Sequence, residues 1–454
     1  MAVQLAPIKI ENFFNTDYVD SASYDNLRKV ASYVDGLKNC NRKIIHTVLK
    51  KNINSKSKVS RLQSTISEFT EYLHGEDGIG KVMVGMAQNY TGANNIPLLQ
   101  RNGNYGTRLD HVAGASRYIY TQKENYLDSI FRKDDYEILT EQYFEGIKIE
   151  PRFFVPVLPM LLINGSEGIS TGFAQKILPR DPKVITSELT KILNGKKTLE
   201  KVNVGKPYWD GFKGRVVRDE ENPKKWYIYG NIVKENLNTI IVDELPVGYD
   251  LKKYLSILED LSDKNVIVSY KDYSEGEDFR FKIRVKREFS QKNSDEQMYV
   301  KFKLKASVTE NYTTIDENNR IRVFSGANEI FIDYFKVRME YFNTRKGHLI
   351  DNMNYELDLL NSKFIFIKSV IDGTIVINNT TKKNIVDQIE KNVKIIKVED
   401  NYDYLLRMPL YSLTKEKLIE LKAKIKSIKE ELTIYKGKTL ENLWIEDIES
   451  IKLN

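Results

Sequence analysis

The spacing of apolar positions changes character along the chain. Residues 20–125 read as short amphipathic helices broken by glycines. One spans 60–73, and another spans 79–88 with Ile79, Val82, Met83 and Met86 at helical intervals. The segment His74-Gly75-Glu76-Asp77-Gly78 joins them. Two helices across such a turn are a helix-turn-helix, one member of which can enter a DNA groove, or simply two packed helices. Between about 150 and 325 the apolar runs shorten, and 225–230, 238–242, 279–285 and 298–304 predict strands. Beyond 326 a heptad-like pattern takes over. Phe335, Met339, Phe342, Leu349, Met353, Leu357, Leu360, Phe364, Ile367 and Ile371 recur at steps of three and four, with one skipped position at Lys346. That spacing predicts one long helix. A second, over 415–435, carries leucine and isoleucine at similar intervals, so the two can pair as an antiparallel coiled coil or form a bundle core.

Composition narrows the class. With 454 residues, 41% hydrophobic and 29% charged, the chain is long enough for about three globular domains. Its longest apolar run, 153–163, is interrupted by Pro156 and Pro159 and is too short to span a bilayer. Met1 to Ile10 carry no basic-then-apolar leader, and a cytoplasmic setting is expected. Cys40 is the single cysteine and there are four histidines, which excludes an intrachain disulfide and argues against an intrinsic metal centre. No Asp-x-Asp pair occurs, so the commonest carboxylate cluster for two-metal phosphoryl transfer is missing, and any magnesium is expected from elsewhere.

Charge is concentrated. Residues 28–61 hold ten cations and one acid, Asp35, or +9 against +7 for the whole chain. Apolar residues interleave with the cations, so this is a folded patch, suited to a polyanion or to a solvated helix face. Gly75 to Lys81 spells G-x-x-x-x-G-K but continues with Val82, where a phosphate-binding loop needs Ser or Thr for magnesium, and it follows a helix. It is not a nucleotide site. In Gly114-Ala115-Ser116-Arg117-Tyr118, a tyrosine able to attack a phosphodiester stands beside an arginine able to neutralise the phosphate. Alone, among 27 tyrosines, that pair is a weak signal.

The order of the segments is more specific. Arg28 with Asp35-Gly36-Leu37-Lys38-x-x-x-Arg42-Lys43 resembles the R-A-L-P-D-x-R-D-G-L-K-P-x-x-R-R segment of the DNA-cleaving A subunits of type IIA topoisomerases, the gyrase A and topoisomerase IV group. Tyr72-Leu73-His74-Gly75-Glu76 is similar to their Y-H-x-H-G-[DE] turn, and Asn102-Gly103-Asn104-Tyr105-Gly106 to G-x-G-N-F-G. Ser116-Arg117-Tyr118-Ile119 and Leu162 to Ile169 (L-x-N-G-x-x-G-I) follow in the family's order, then Asp243-Glu244-Leu245-Pro246. Within that group the chain looks closest to the medium subunit of bacteriophage topoisomerase.

The resemblance implies a multidomain α+β fold. Its parts would be a winged-helix DNA-cleavage domain with an N-terminal arm over 1–150, a mixed α/β tower over 151–325, and a coiled coil with a C-terminal dimer gate over 326–454. It implies Tyr118 as nucleophile, with Arg117, Arg28 and His74 stabilising the transferring phosphate. Lys38, Arg42 and Lys43 would grip the duplex, with Asn164 also on the DNA side, and Ile169 would wedge between base pairs, although an ordinary buried isoleucine is the plainer reading of that residue alone. Two copies would form a double-stranded DNA gate inside a heterotetramer or larger complex. A partner subunit would supply the Toprim and ATPase parts with Mg2+ and ATP, in the cytoplasm of an infected bacterium. No metal site is expected on this chain.

Asn39 replaces the family's proline, and Tyr72 and Leu73 depart from the turn motif. Asp77 and Lys81 stand where bacterial enzymes usually carry a serine and an acid that help bind quinolones, which weakens any expectation of drug sensitivity. The sequence ends after the coiled coil, so relaxation or decatenation is expected rather than negative supercoiling. The rival readings are a non-catalytic DNA-binding or architectural helix-turn-helix protein, and a tyrosine recombinase, whose multi-arginine and histidine set is not evident.

Overall fold

A computed structural model of the chain describes residues 9–392 and 394–453; the first eight residues of the expected N-terminal arm lie outside the described residues. The chain divides into two compact units, 1–339 with 444–454 and 340–443.

In the first unit, helices α1 (Val19–Lys29), α2 (Asn39–Lys50), α3 (Val59–Phe69) and α4 (Glu76–Ala87) follow one another. Strand β1 (Ser57–Lys58) precedes α3 and pairs antiparallel with β2 (Tyr120–Thr121), and β2 is bridged on its other side to Asn102. Helices α2, α3 and α4, a small sheet and a long loop between its last two strands make a winged helix, with residues 103–118 as the wing. The helices are held by Ile44, Ile45, Val48, Val59, Leu62, Ile66, Ile79 and Met83, all nearly inaccessible to solvent and each on the apolar stripe that the spacing predicts. Leu73, expected at the end of α3, lies beyond it. Thr70 ends that helix, and Glu71 turns the chain with φ +48°.

The next elements are a hairpin of β3 (Ser166–Ser170) and β4 (Phe173–Ile177), and two antiparallel sheets. One sheet contains β5 (Arg215–Arg218), β6 (Lys225–Tyr229) and β11 (Lys305–Thr309), with β6 central. The other has the order β9 (Ser269–Asp272), β10 (Phe281–Arg284), β8 (Thr239–Glu244), β7 (Asn231–Asn236). Ile240, Val242, Phe281 and Ile283 of this sheet share a core with Tyr254, Leu258 and Leu261 of helix α5 (Leu251–Asp263).

Three of the four expected strand runs are strands. The fourth is not: 298–304 falls largely in helix α6 (Asp295–Lys301), started by a capping box in which Ser294 accepts from the Gln297 amide and the Gln297 side chain accepts from the Ser294 amide. That reciprocal cap satisfies two amides that a strand would have left to a neighbour, while Met298 and Phe302 still reach the core.

Helix α7 (Ala327–Ile371) is 45 residues, about 68 Å at the usual rise. In the second unit its Leu357, Leu360 and Ile367 pack with Leu421, Ile425, Ile428 and Leu432 of α8 (Lys415–Gly437). Lys346 reaches the carbonyls of Lys436 and Lys438 while Glu356 pairs with Lys424, so numbers rise on one helix as they fall on the other: the pair is antiparallel. Back in the first unit, α9 (Leu440–Ser450) supplies Trp444, fully buried, stacked on Phe335 at 5.0 Å and donating its indole N–H to the Val157 carbonyl.

Candidate active site and nucleic-acid interface

The wing places Tyr118. Ile119 is buried and its carbonyl accepts from the Val59 amide, while Ser60 N–H donates to the Ser116 carbonyl. A turn closed by Tyr118 N–H to the Ala115 carbonyl then projects the phenol outward, and Tyr118 is 69% exposed. The alternation is that of a strand edge: Ile119 faces in, Tyr118 faces out. Arg117 lies with its guanidinium carbon 5.0 Å from the Tyr118 ring centroid.

Arg28 and His74 meet on a second surface. His74 sits just before α4, and its Nε2 is 2.6 Å from the Tyr24 hydroxyl. The Tyr72 ring stands edge-on to it at 5.7 Å. Arg28, one turn along α1 from Tyr24, interacts with Tyr72 and with His74. Partial burial, then the Arg28 charge, hold His74 below the ordinary histidine pKa. Helix α4 links this surface to the wing, because a Cβ at Gly80 would lie 3.0 Å from the Ser116 hydroxyl.

The hairpin places Ile169. Thr171 and Gly172 form its turn, with Gly172 at φ +79°, and Ile169 projects from it 76% exposed. Sequence alone favoured a buried isoleucine; the structure gives the opposite. The hairpin is tied to α1, since the Thr171 amide and hydroxyl both donate to Asp25 and the Ser170 hydroxyl bonds Asn26. Backbone approaches backbone here: a Cβ on Gly168 would lie 2.1 Å from the Lys29 carbonyl oxygen. Lys38, half-buried, donates to the Glu167 carbonyl in the same hairpin, and burial lowers its pKa while Glu167 opposes the shift.

Three of the residues expected to contact DNA are otherwise engaged. Arg42 is buried, donating through Nε and Nη2 to the two Asp35 carboxylate oxygens at 2.8 and 3.1 Å and to the Leu37 carbonyl. Asp35 also accepts from the Leu37 and Phe154 amides. Lys43 is buried between Glu150, at 2.9 Å, and the Thr70 carbonyl. Their charges are neutralised inside the fold, and the +9 patch loses both from its surface. As they stand, both cations brace the fold, and freeing either for a phosphate would leave an uncompensated carboxylate behind. Asn164 clamps the backbone of Ile96, accepting from its amide at 2.9 Å and donating to its carbonyl at 2.8 Å. Both of its polar atoms are thereby engaged in shaping the loop.

Sequence reasoning passed over Tyr24, Asp25 and Asn26. The signal for Tyr24 was its position four residues before Arg28, on the same helix face. Among the described residues, no group of three or more His, Cys, Asp or Glu side chains is placed to hold a metal, and no helix is long and apolar enough to cross a membrane.

A winged helix with a tyrosine on its wing, followed by an apolar-tipped hairpin, a mixed tower and an antiparallel coiled coil, is the architecture of a type II topoisomerase DNA-cleavage module. The family model for the A subunit of DNA gyrase/topoisomerase IV matches residues 28–449, and the chain belongs to that family. DNA topoisomerase 2 of Plasmodium falciparum is 31% identical over 97% of this chain and 34% of its own length. Human DNA topoisomerase 2-alpha is 30% identical over 96% of this chain and 31% of its own length. The chain thus spans about a third of these relatives. The crystal structure of the Plasmodium falciparum topoisomerase II DNA-binding, cleavage and re-ligation domain superposes with TM-score 0.86 at 30% identity, covering 97% of this chain and 63% of that one.

Proposed function

We propose that this chain is the breakage-reunion part of an ATP-dependent type IIA DNA topoisomerase and that Tyr118 is its nucleophile. The observation that carries the reading is the exposed Tyr118 phenol on the wing, with Arg117 against it. In the forward step the Tyr118 oxygen forms a bond to phosphorus, the bond to the 3′-oxygen breaks, the phenolic proton leaves and the 3′-oxygen is protonated. The DNA 5′-phosphate is then held on tyrosine, and the reverse step religates the strand with no external energy. Arg117, Arg28 and His74 stabilise the phosphate as charge builds on it. Ile169, exposed on a braced hairpin, enters the base stack and bends the duplex.

Cutting both strands takes one Tyr118 from each of two copies. The chain therefore acts as a homodimer within a heterotetramer or larger complex, joined by a partner that carries the Toprim and ATPase parts with Mg2+ and ATP. Passage of a second duplex through the break changes DNA topology. The test is denaturant trapping of a covalent protein–DNA adduct from this chain, a Toprim partner, magnesium and supercoiled DNA. A 5′-linked adduct that disappears in Tyr118→Phe supports the reading. Firm DNA binding without an adduct leaves an architectural protein in its place.

A further inference from the structure

Tyr24 has no part in the reading above, yet it caps the imidazole nitrogen of His74. Its hydroxyl is 2.6 Å from Nε2, while 52% of the residue remains open to solvent. Arg28 lies four residues on along α1, hence on the same face, and both side chains converge on the Tyr72–His74 turn. We propose that Tyr24 is a phosphate-contacting residue of the cleavage site, with its hydroxyl oriented by His74. This inference rests on the phosphotyrosyl reading of the site.

The proton count decides the direction of the bond. A phosphodiester oxygen accepts hydrogen bonds, and the tyrosine hydroxyl has one proton to give. If that proton went to Nε2, the hydroxyl would present only lone pairs to an anion beside Arg28. If neutral His74 carries its proton on Nε2, it donates to the Tyr24 oxygen, and the Tyr24 O–H is free to donate to the phosphate, so that His74 stabilises the phosphate through Tyr24. Tyr24 keeps its proton throughout. Its role is that of a dipole set in advance toward developing negative charge, next to the Arg28 guanidinium. The groups facing His74 are Tyr24 and Arg28 from α1 and Tyr72 from its own turn. Among these there is no carboxylate to draw the imidazole into its charged form.

Two measurements on the complete chain test this. The first is adduct formation with the Toprim partner and magnesium, comparing wild type, Tyr24→Phe, His74→Gln and the double variant, with DNA affinity and unfolding midpoint recorded for each. Tyr24→Phe should lower the cleavage rate by about 10- to 100-fold, the scale of one hydrogen bond to a charged group, with the midpoint unchanged and DNA affinity reduced far less than the rate. The double variant should be little worse than His74→Gln, because the two residues act as one unit. Wild-type cleavage by Tyr24→Phe, or losses that multiply, overturns the proposal. The second is the nitrogen NMR spectrum of the chain labelled at histidine, with His74 assigned from the His74→Gln spectrum. An Nε2–H tautomer that changes in Tyr24→Phe supports the relay, and an Nδ1–H tautomer overturns it. Loss of the adduct in Tyr118→Phe reports separately on the underlying reading, so the two can fail independently.

Discussion

The buried cations of α2 and the exposed groups of the wing and hairpin all belong to the motifs that resemble the family's but differ in what they can meet. Arg42 and Lys43 are each 7% exposed, closed by Asp35 and Glu150. Tyr118 and Ile169 are 69% and 76% exposed. Residues that a motif groups together are therefore two things in space: part frame, part face. The frame matters to the face, because Asp35 and Arg42 fix the Asp-Gly-Leu turn that leads into Lys38, and Gly36 there has φ +70° with a backbone amide 2.4 Å from where a Cβ would sit.

The sharpest way to break this contrast is Arg42→Ala. It strands the buried Asp35 carboxylate and should cost about 3–5 kcal/mol, read as a drop in the urea midpoint. Unchanged stability with lost DNA affinity would return Arg42 to the DNA side. Arg117→Ala should do the reverse, reducing cleavage by about 10²- to 10³-fold with the unfolding midpoint unmoved. Adduct trapping at matched DNA occupancy checks it.

A third prediction uses pH. Burial, reinforced by Lys50, Lys43 and Lys148, lowers the His46 pKa from 6.5 to about 4. The unfolded chain takes up this proton first as pH falls, so the stability is complete above about 6.5, declines through the interval, and has lost roughly 3 kcal/mol by pH 4. His46→Gln should flatten that acid limb in a series of unfolding curves. The smallest effect is expected of Ile169→Ala: stability within about 0.5 kcal/mol of wild type, because the side chain is already in water, but a smaller DNA bend by end-to-end energy transfer.

Much of the fold was legible because its periods are regular. The heptad positions of 335–371 and 415–435 gave both long helices and left their antiparallel pairing as one of two readings, and three strand runs were read from short apolar runs. Misreading 298–304 had a physical cause. Tyr299, Val300 and Phe302 favour strands, but the Ser294–Gln297 cap outweighs a preference that depends on packing. At the site, motif order singled out Tyr118, Arg117, Arg28, His74 and Ile169. Motifs do not state exposure, however. In the Leu162–Ile169 motif, Asn164 clamps a loop, Gly165 and Gly168 allow close backbone approach, and Ile169 projects into solvent, as does Glu167. Partners distant in sequence, such as Glu150 for Lys43 and Tyr24 for His74, leave no local pattern to read.

The burial of Trp444 has a consequence for how the chain is put together. The polypeptide leaves its first unit after Met339 and re-enters it at Trp444, which stacks on Phe335 only four residues before the point of departure. Exit and entrance are thus neighbours, and 340–443 is topologically an insertion, a cassette spliced into a body whose own closure is completed by the returning helix. Such a cassette can lengthen, shorten or diverge without threading the body anew, provided its two ends still meet at that tryptophan.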